Sequence, residues 1–505
     1  MSKMQIKTKA KLFVKFISFV LITCLCVGVV NSWLKPKYYY TYAWPSTNTF
    51  QDFYALEKDS VDVLFFGSSH AVSSLNPQVV YDTYGITSYN LGSEQQSLVV
   101  SYYWLREALK YQSPKAVIID TYMLHKFSDS YVYNDMNCSE SAVRKAMDNM
   151  RLSPLKWEAA QTIAKTDPTQ DALSYILPNI RYHSRWTSLG EEDFTEASMV
   201  AHGGIKGFTV MSGNDPNLEY TPFHDGEAEN VDPDIMMEPS RTYLAKTIEL
   251  CQEKGIQVIL INIPCAESIG RYRSTKTFAE EYGVPYYDFN EATLYNEIGY
   301  DASENLLSHP NYLGAEKISL YIGKMLAEQY GIAPREDSSY NASRQLYEHN
   351  LQNIRLQDTT DIYEYLPLLN QERYSIFVFA PTSFSACIDE DLMNMLFAMG
   401  FATELREVRD GTHYCALKDA SGFVEQLTEE DLQFSGAIRN GLTTYSFQVD
   451  TTNMVHKTYK MMVDGTDCSG LTTGLNFVVY DNEQKQVIDR VNFNTTTEEL
   501  TATRY

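Results

Sequence analysis

The sequence predicts an α/β protein built on a doubly wound parallel sheet with a long insertion, followed by an α+β, mostly β module and preceded by one N-terminal transmembrane helix. Three observations predict this. Between about residues 60 and 330, short continuously apolar runs alternate with helix-length segments, as a sheet covered on both faces requires. After about residue 350 the rhythm changes to shorter strands and turns. Ahead of both lies an apolar run of nearly membrane length, preceded by five lysines.

The N-terminal run comes first. Lys3, Lys7, Lys9, Lys11 and Lys15 precede an apolar stretch over 16–30 that continues less purely to Leu34, and Lys35 and Lys37 close it. About 20 apolar residues span a bilayer core as a helix, so this run sits at the short end of the range. Asn31 and Ser32 fall near one interface and Trp33 serves as an interfacial anchor. The basic flank belongs in the cytoplasm and the rest of the chain outside it. The exit Val29-Val30-Asn31-Ser32-Trp33 has no A-x-A pattern, which favours an uncleaved anchor over a signal peptide; both export the remainder.

Charge and cysteine bound the partners. The net charge is −24, and residues 1–37 hold seven lysines and no acid, so the exported part carries about −31. That balance excludes unaided binding of nucleic acid or anionic polymers and suits a soluble chain or a neutral glycan partner. Of eight cysteines, Cys24 and Cys26 lie in the anchor; Cys138, Cys251, Cys265, Cys387, Cys415 and Cys468 are widely spaced. No CxxC or Cys/His metal spacing occurs, so no metal or other cofactor is expected. Free buried cysteine is the expectation for most of the six.

Within the α/β region, residues 38–60 form a tyrosine-rich lead-in with Tyr38, Tyr39, Tyr40 and Tyr42. Strands are predicted over 61–66, 88–91, 116–120, 257–263 and 284–289. Helices are predicted through Tyr102, Leu105 and Leu109, then over 243–254 ending at Gly255, 277–282 ending at Gly283, and 314–330. The segment from about 125 to 240 breaks the rhythm and reads as an insertion, with a helix over 154–165 opened by Ser153-Pro154. Residues 336–350 are polar and read as a boundary. The domains are thus 1–37, 38–335 and 351–505.

The candidate chemistry lies at the ends of that region. The first strand runs into Gly67-Ser68-Ser69-His70-Ala71. In a parallel sheet, ligands bind at the carboxyl ends of strands. A serine there gains from backbone N–H groups and a helix N-terminus, both of which favour a developing oxyanion. The last helix opens with Ser308-His309-Pro310-Asn311-Tyr312-Leu313-Gly314-Ala315, and a histidine on the same sheet edge can serve as the base that a serine nucleophile needs. Gly67-Ser68-Ser69-His70-Ala71 also approaches the G-x-S-x-G elbow of α/β-hydrolases, but too little chain precedes it for the strands that fold requires.

These motifs resemble the SGNH, or GDSL-like, hydrolase superfamily, over roughly residues 58–332. Gly67-Ser68-Ser69 stands where that family has Gly-Asp-Ser, which implies Ser69 as nucleophile. Asn90-Leu91-Gly92 resembles the second block, whose Gly N–H helps form the oxyanion hole. His309-Pro310-Asn311 with Gly314-Ala315 resembles the last, which implies His309 as base. The likeness is closest to membrane-anchored, extracytoplasmic members linked with acylation or deacylation of wall and capsule polysaccharide. Tyr182-His183-Ser184-Arg185-Trp186 resembles a segment of that subgroup, so His183 and Arg185 become candidates for acyl or sugar contact; in the other reading Tyr182 and Trp186 pack the insertion and its polar residues are solvated. His70 is a candidate donor or a structural contact. Two positions depart from the family. Leu306 stands where an Asp usually orients the base, leaving a backbone carbonyl, Asp301 or Glu304 for that role. Asp120-Thr121-Tyr122 replaces an Asn donor, which Asn134-Asp135 mimics only at a distance and for which Gln95 or Gln96 is the candidate substitute. His125 and His202 carry no assigned role.

The C-terminal part resembles the interleukin-like EMT inducer domain through Gly474-Leu475-Asn476, the valine-rich run to Tyr480-Asp481, and Phe493-Asn494-Thr495. Strands are predicted over 374–380, 445–449 and 475–480, with a helix over 389–399 ended by Gly400. The resemblance implies carbohydrate recognition, and a spacer is the other reading. Together the likenesses imply a membrane-anchored extracytoplasmic serine esterase or O-acyltransferase acting on acylated cell-surface polysaccharide, with a membrane-bound acyltransferase as a further partner. The alternative is a catalytically weak polysaccharide-binding or scaffold protein. The anchor predicts that the full chain stays in the membrane pellet after alkaline carbonate extraction; release into the supernatant would contradict it.

Overall fold

A computed structural model describes residues 3–36, 46–125, 142–166, 170–190, 193–194, 205–265, 268–306, 309–439, 441–451 and 458–505. Tyr38, Tyr39, Tyr40, Tyr42, Asn134, Asp135, Cys138, His202 and Ser308 lie outside the described residues. The chain divides into two compact units, Met1–Tyr347 and Glu348–Tyr505.

The first unit begins with the helix Lys3–Leu34. Its segment Lys11–Leu34 has a mean hydropathy of 2.5 and is long and apolar enough to cross a membrane. The sheet that follows comprises β1 (Val63–Phe66), β2 (Ser88–Asn90), β3 (Ala116–Asp120), β4 (Gln257–Asn262) and β5 (Tyr286–Asp288). Their order is β2-β1-β3-β4-β5, and every pairing is parallel.

Residues of β1 alternate between two cores, as the two-residue period of a strand dictates. Leu64 and Phe66 pack with Leu105, Trp104, Leu244, Ile248 and Phe278 from the helices Leu98–Ala108, Glu238–Glu253 and Ile269–Tyr282. Val63 and Phe65 pack with Val80, Ile318 and Ile322 from the helices Pro77–Tyr84 and Tyr312–Glu328. Helices therefore cover both faces, and the central strands β1, β3 and β4 are largely apolar for that reason.

Several helices exceed their predicted lengths. Ser268 caps Ile269–Tyr282 by accepting from Arg271 N–H, eight residues before the predicted start. Pro239 sits in the first turn of Glu238–Glu253, at a start signal hidden in the insertion. Residues 336–350, expected as a boundary, contain the division between the two units, and a helix that was not predicted, Ser339–Asp358, runs through them. Asp337 accepts from Ser339 N–H at 2.8 Å, and the buried Tyr340 hydroxyl bonds to both the N–H and the carbonyl of Ser88, each at 2.8 Å.

The insertion holds the helices Ala142–Met147 and Pro154–Thr166 and, farther on, Asn179–Tyr182. Its interior is charged. Arg144 is fully buried, paired with Asp148 at 3.0 Å, and donates to Tyr182 Oη and Ser174 Oγ at 3.0 and 2.9 Å. Its guanidinium lies 3.8 Å from the Tyr175 ring centroid.

The second unit carries β6 (Tyr374–Ala380), β7 (His413–Asp419), β8 (Gly422–Thr428), β9 (Leu432–Ile438), β10 (Thr443–Asp450), β11 (Thr458–Val463), β12 (Thr466–Asp467), β13 (Leu475–Asp481), β14 (Gln486–Phe493) and β15 (Ala502–Arg504). They form antiparallel sheets ordered β15-β14-β13-β6-β7-β8 and β12-β11-β10-β9. The helix Glu390–Met399 is capped by Asp389 and stopped by Gly400 at φ 107°. Among the described residues, Cys251, Cys387, Cys415 and Cys468 form no disulfide.

Removing the Arg144 side chain would leave Asp148 buried without its cation. Arg144→Ala should therefore cost about 3–5 kcal/mol, read as a lower thermal midpoint in differential scanning fluorimetry. An unchanged midpoint would show that the network adds nothing.

Candidate active site

The sheet order places the topological switch between β1 and β3, whose crossovers leave on opposite faces and open a crevice at their carboxyl ends. Gly67-Ser68-Ser69 leaves β1 there and Asp120-Thr121-Tyr122 leaves β3. Gly67 is dictated by this closeness: a Cβ at position 67 would lie 2.7 Å from the Cβ atoms of both Ala71 and Asp120. Ser68 caps the short helix Ser69–Ser74 by accepting from His70 N–H.

His309 reaches Ser69 from the other end of the domain. Asn311 caps the helix Tyr312–Glu328, accepting from Leu313 and Gly314 N–H at 2.9 and 3.3 Å. Asn311 is itself held, since its N–H donates to Asn305 Oδ1 at 2.9 Å and its amide to Gly213 O at 3.0 Å. Two residues before this cap, His309 places Nε2 2.9 Å from Ser69 Oγ, across 240 residues of sequence. With its proton on Nδ1, the ring accepts the serine hydroxyl. Burial holds the His309 pKa below the ordinary histidine value of 6.5, so the ring is neutral near pH 7 and open to a proton.

Behind this pair lies a second layer. The buried His70 ring stacks on His309, with centroids 4.7 Å apart and planes 12° from parallel. Its other neighbour is Tyr122, at 3.7 Å between centroids. Ser68 Oγ lies 3.4 Å from His70 Nδ1 and donates to Asp120 Oδ2 at 3.4 Å. Sequence reasoning gave Asp120 and Tyr122 no role beyond marking a missing Asn donor. A carboxylate ending a fully apolar strand at this edge was the available signal.

The loop after β2 crosses the same edge, with Ser93 N–H donating to Gly67 O at 3.3 Å. Here the structure changes several expectations. Gly92 N–H, expected as an oxyanion donor, donates to Asn90 Oδ1 at 3.0 Å. The Asn90 amide binds the carbonyls of Ala71 and Leu75 at 2.7 and 3.1 Å, so Asn90 braces the helix that carries Ser69. Gln96 is spent on Leu91 O and Ser101 Oγ. Gln95 instead holds a left-handed φ of 50°, a strained conformation for this residue type. Its Oε1 and the Ser93 hydroxyl are buried without a partner among the described residues. Ser93 was not singled out from sequence.

His183 and Arg185 do not join this constellation in their described contacts. His183 is exposed, with Nδ1 3.3 Å from Ile180 O. Arg185 donates to Leu34 O and to Asp193, each at 2.8 Å, at the end of the N-terminal helix. Asp301 accepts from Ser303, and Glu304 pairs with Lys317 at 2.6 Å, so the carboxylates considered for orienting His309 are engaged elsewhere. Leu306 lines a small apolar cavity of about 40 Å³ with Tyr220, Pro264, Cys265 and Tyr300. That cavity shares Tyr220 and Tyr300 with an open groove of about 600 Å³. His125 bonds to Ser274 Oγ at 2.8 Å, and burial pushes its pKa down to about 4.

Two solved structures are similar to part of this chain. A GDSL-like lipase from Bacteroides thetaiotaomicron VPI-5482 is 12% identical with a TM-score of 0.26, over 56% of this chain and 99% of its own. A candidate acylhydrolase from Bacteroides fragilis NCTC 9343 is 12% identical with a TM-score of 0.24, over 55% and 94%. At these values the likeness carries no argument about the site, which stands on its own geometry. No protein-family model and no curated protein matches the chain.

If His309 is the base, its depressed pKa fixes the sign of the pH dependence. Ester turnover should rise from acid pH with an inflection below 6.5 and level off above it, measured as kcat/KM on p-nitrophenyl acetate. An inflection above 6.5, or its persistence in His309→Gln, would exclude the assignment.

Proposed function

We propose that this protein is a membrane-anchored, extracytoplasmic serine esterase or O-acyltransferase acting on acylated cell-surface polysaccharide. The observation that carries the chemistry is the 2.9 Å contact between Ser69 Oγ and the half-buried His309 Nε2 at the switch point of the sheet.

In this reading Ser69 Oγ bonds to the ester carbonyl carbon while its proton passes to His309 Nε2. The oxyanion meets the N–H of Ser69, with the Ser93 hydroxyl as second donor, because Gly92 N–H is already engaged. The C–O bond to the leaving alcohol then breaks and that oxygen takes the proton from His309. A water or a sugar hydroxyl attacks the acyl-serine in the same way, and this choice separates hydrolysis from transfer. The groove bordered by Tyr220, Tyr295 and Tyr300 offers aromatic faces of the kind sugars pack against. A membrane-bound acyltransferase is the kind of partner that would supply acyl groups to such a site.

A second reading, a catalytically weak glycan-presenting protein, is favoured by the engaged Gly92 N–H and by Leu306 at the place of an orienting carboxylate. In the C-terminal unit the motif residues are structural. Asn476 accepts from Leu471 N–H at 2.8 Å and from the Asn492 amide at 3.1 Å, and a Cβ on Gly474 would lie 2.4 Å from Phe493 O. Carbohydrate recognition by that unit therefore falls to other residues.

A fluorophosphonate probe on the full chain in detergent separates the readings. Labelling of wild type, abolished in Ser69→Ala and reduced at least about 10²-fold in rate in His309→Gln, is expected. Absent labelling of wild type, or equal labelling of Ser69→Ala, would favour the glycan-presenting reading.

A further inference from the structure

The N-terminal helix does not end in free chain. Leu34 is buried, and its carbonyl accepts from Arg185 at 2.8 Å. Asn31 Oδ1 accepts from Asn179 N–H at 2.9 Å, and Lys35 Nζ reaches Asn149 Oδ1 at 3.4 Å. Trp33 meets Phe194 edge-on, with ring centroids 5.3 Å apart. The end of the apolar helix is thus packed and hydrogen-bonded into the insertion of the same unit.

Around this junction the insertion turns large apolar side chains outward. Trp186 is 61% exposed, Phe194 53%, Leu173 44%, Ile180 40% and Leu177 36%. A soluble surface rarely gathers so much apolar area in one short segment. Charge does not set this surface: Arg181 and Arg185 are flanked by Asp171, Glu191, Glu192 and Asp193, and Arg185 is paired with Asp193. Exposed aromatic and aliphatic groups beside the exit of an apolar helix match the headgroup boundary of a bilayer.

We infer that the segment around Leu173, Ile180, Trp186 and Phe194 is a second membrane contact, lying in the headgroup layer beside the emerging helix. The inference rests on the reading of that helix as a retained anchor. It gives the insertion a lipid surface as its partner, and it accounts for Arg185 and His183 outside the catalytic site. Continuity with the helix argues for lipid over a second copy of the chain.

Depth-resolved quenching tests this on the full-length protein in nanodiscs of phosphatidylcholine and phosphatidylglycerol. The lipids carry bromine either near the headgroup or deep in the acyl chain. Trp186→Phe should lose quenched emission relative to wild type, and Ile180→Trp should gain it, with shallow bromines quenching more than deep ones. Unchanged quenching in both variants, in a chain that still resists carbonate extraction, would overturn the lipid contact and leave the anchor standing. Carbonate release of wild type would overturn the anchor itself. Ile180→Trp emission shielded from lipid but lost on dissociating a dimer would assign the patch to a second copy and overturn the inference.

Discussion

The hydroxyl of Ser319 is buried between two helices and bonds to both sides of a turn. It donates to Ser74 O at 3.0 Å and accepts from Asn76 N–H at 2.9 Å. Ser74 ends the helix that begins at Ser69, and Ser319 lies in the helix that His309 leads into. The Ser319 hydroxyl thus ties the helix of the candidate nucleophile to the helix that the candidate base leads into. Two glycines allow close packing around this second helix. A Cβ at Gly323 would lie 2.4 Å from the Tyr84 ring, and one at Gly314 would lie 2.3 Å from Asn305 Oδ1. Such close approach matters because an error of about 1 Å between reacting atoms costs on the order of 10²-fold in rate.

The insertion is held together differently. Its centre is a cation, Arg144, whose hydrogen bonds fan out to Tyr182 and Ser174. Lys156 is buried beside it, with its pKa pushed down to about 8 by burial, and donates to Met150 O at 2.9 Å. Buried charges of this kind cost free energy to desolvate and are kept only where partners satisfy them. The benefit is positional. Tyr182 joins the charged centre to the stretch that grips Leu34, so the end of the N-terminal helix is fixed to the sheet through a rigid intermediate.

Strands such as β1, β3 and β4 were legible because they are buried on both faces and read as largely apolar runs; β3 and β6 match their predicted bounds, and the other predicted strands differ by one or two residues at an end. Helix starts were less legible where the signal was a single polar residue, as at Ser268 and at Asp337 before the helix Ser339–Asp358. That second helix is also fixed from a distance, since the Tyr340 hydroxyl fits the backbone of Ser88, more than 250 residues away. The candidate site divides along the same line. Ser69 and His309 sit in compact motifs at the ends of elements, where position along the chain implies position on the sheet. Asp120, Tyr122 and Ser93 matter through contacts that only the assembled edge creates, and the engagement of Gly92 by Asn90 depends on a side-chain rotamer that no pattern encodes.

Leu306 turns these particulars into a chemical constraint. A carboxylate beside a catalytic histidine stabilises the imidazolium that forms as serine attacks. Here the side chain at that position lines an apolar cavity, while the His309 ring rests against His70 and is desolvated. Burial makes the imidazolium less stable, so in the proposed role His309 would be a weaker base toward Ser69 and a stronger acid toward a departing alkoxide. Amide cleavage, with its less reactive carbonyl, suffers most from the first change. Ester chemistry benefits from the second, because the alcohol that leaves in one direction is the alcohol that attacks in the other. A site biased toward prompt return of the proton is thus suited to moving acyl groups between oxygens, and the same bias acts whether the accepting oxygen belongs to water or to a sugar.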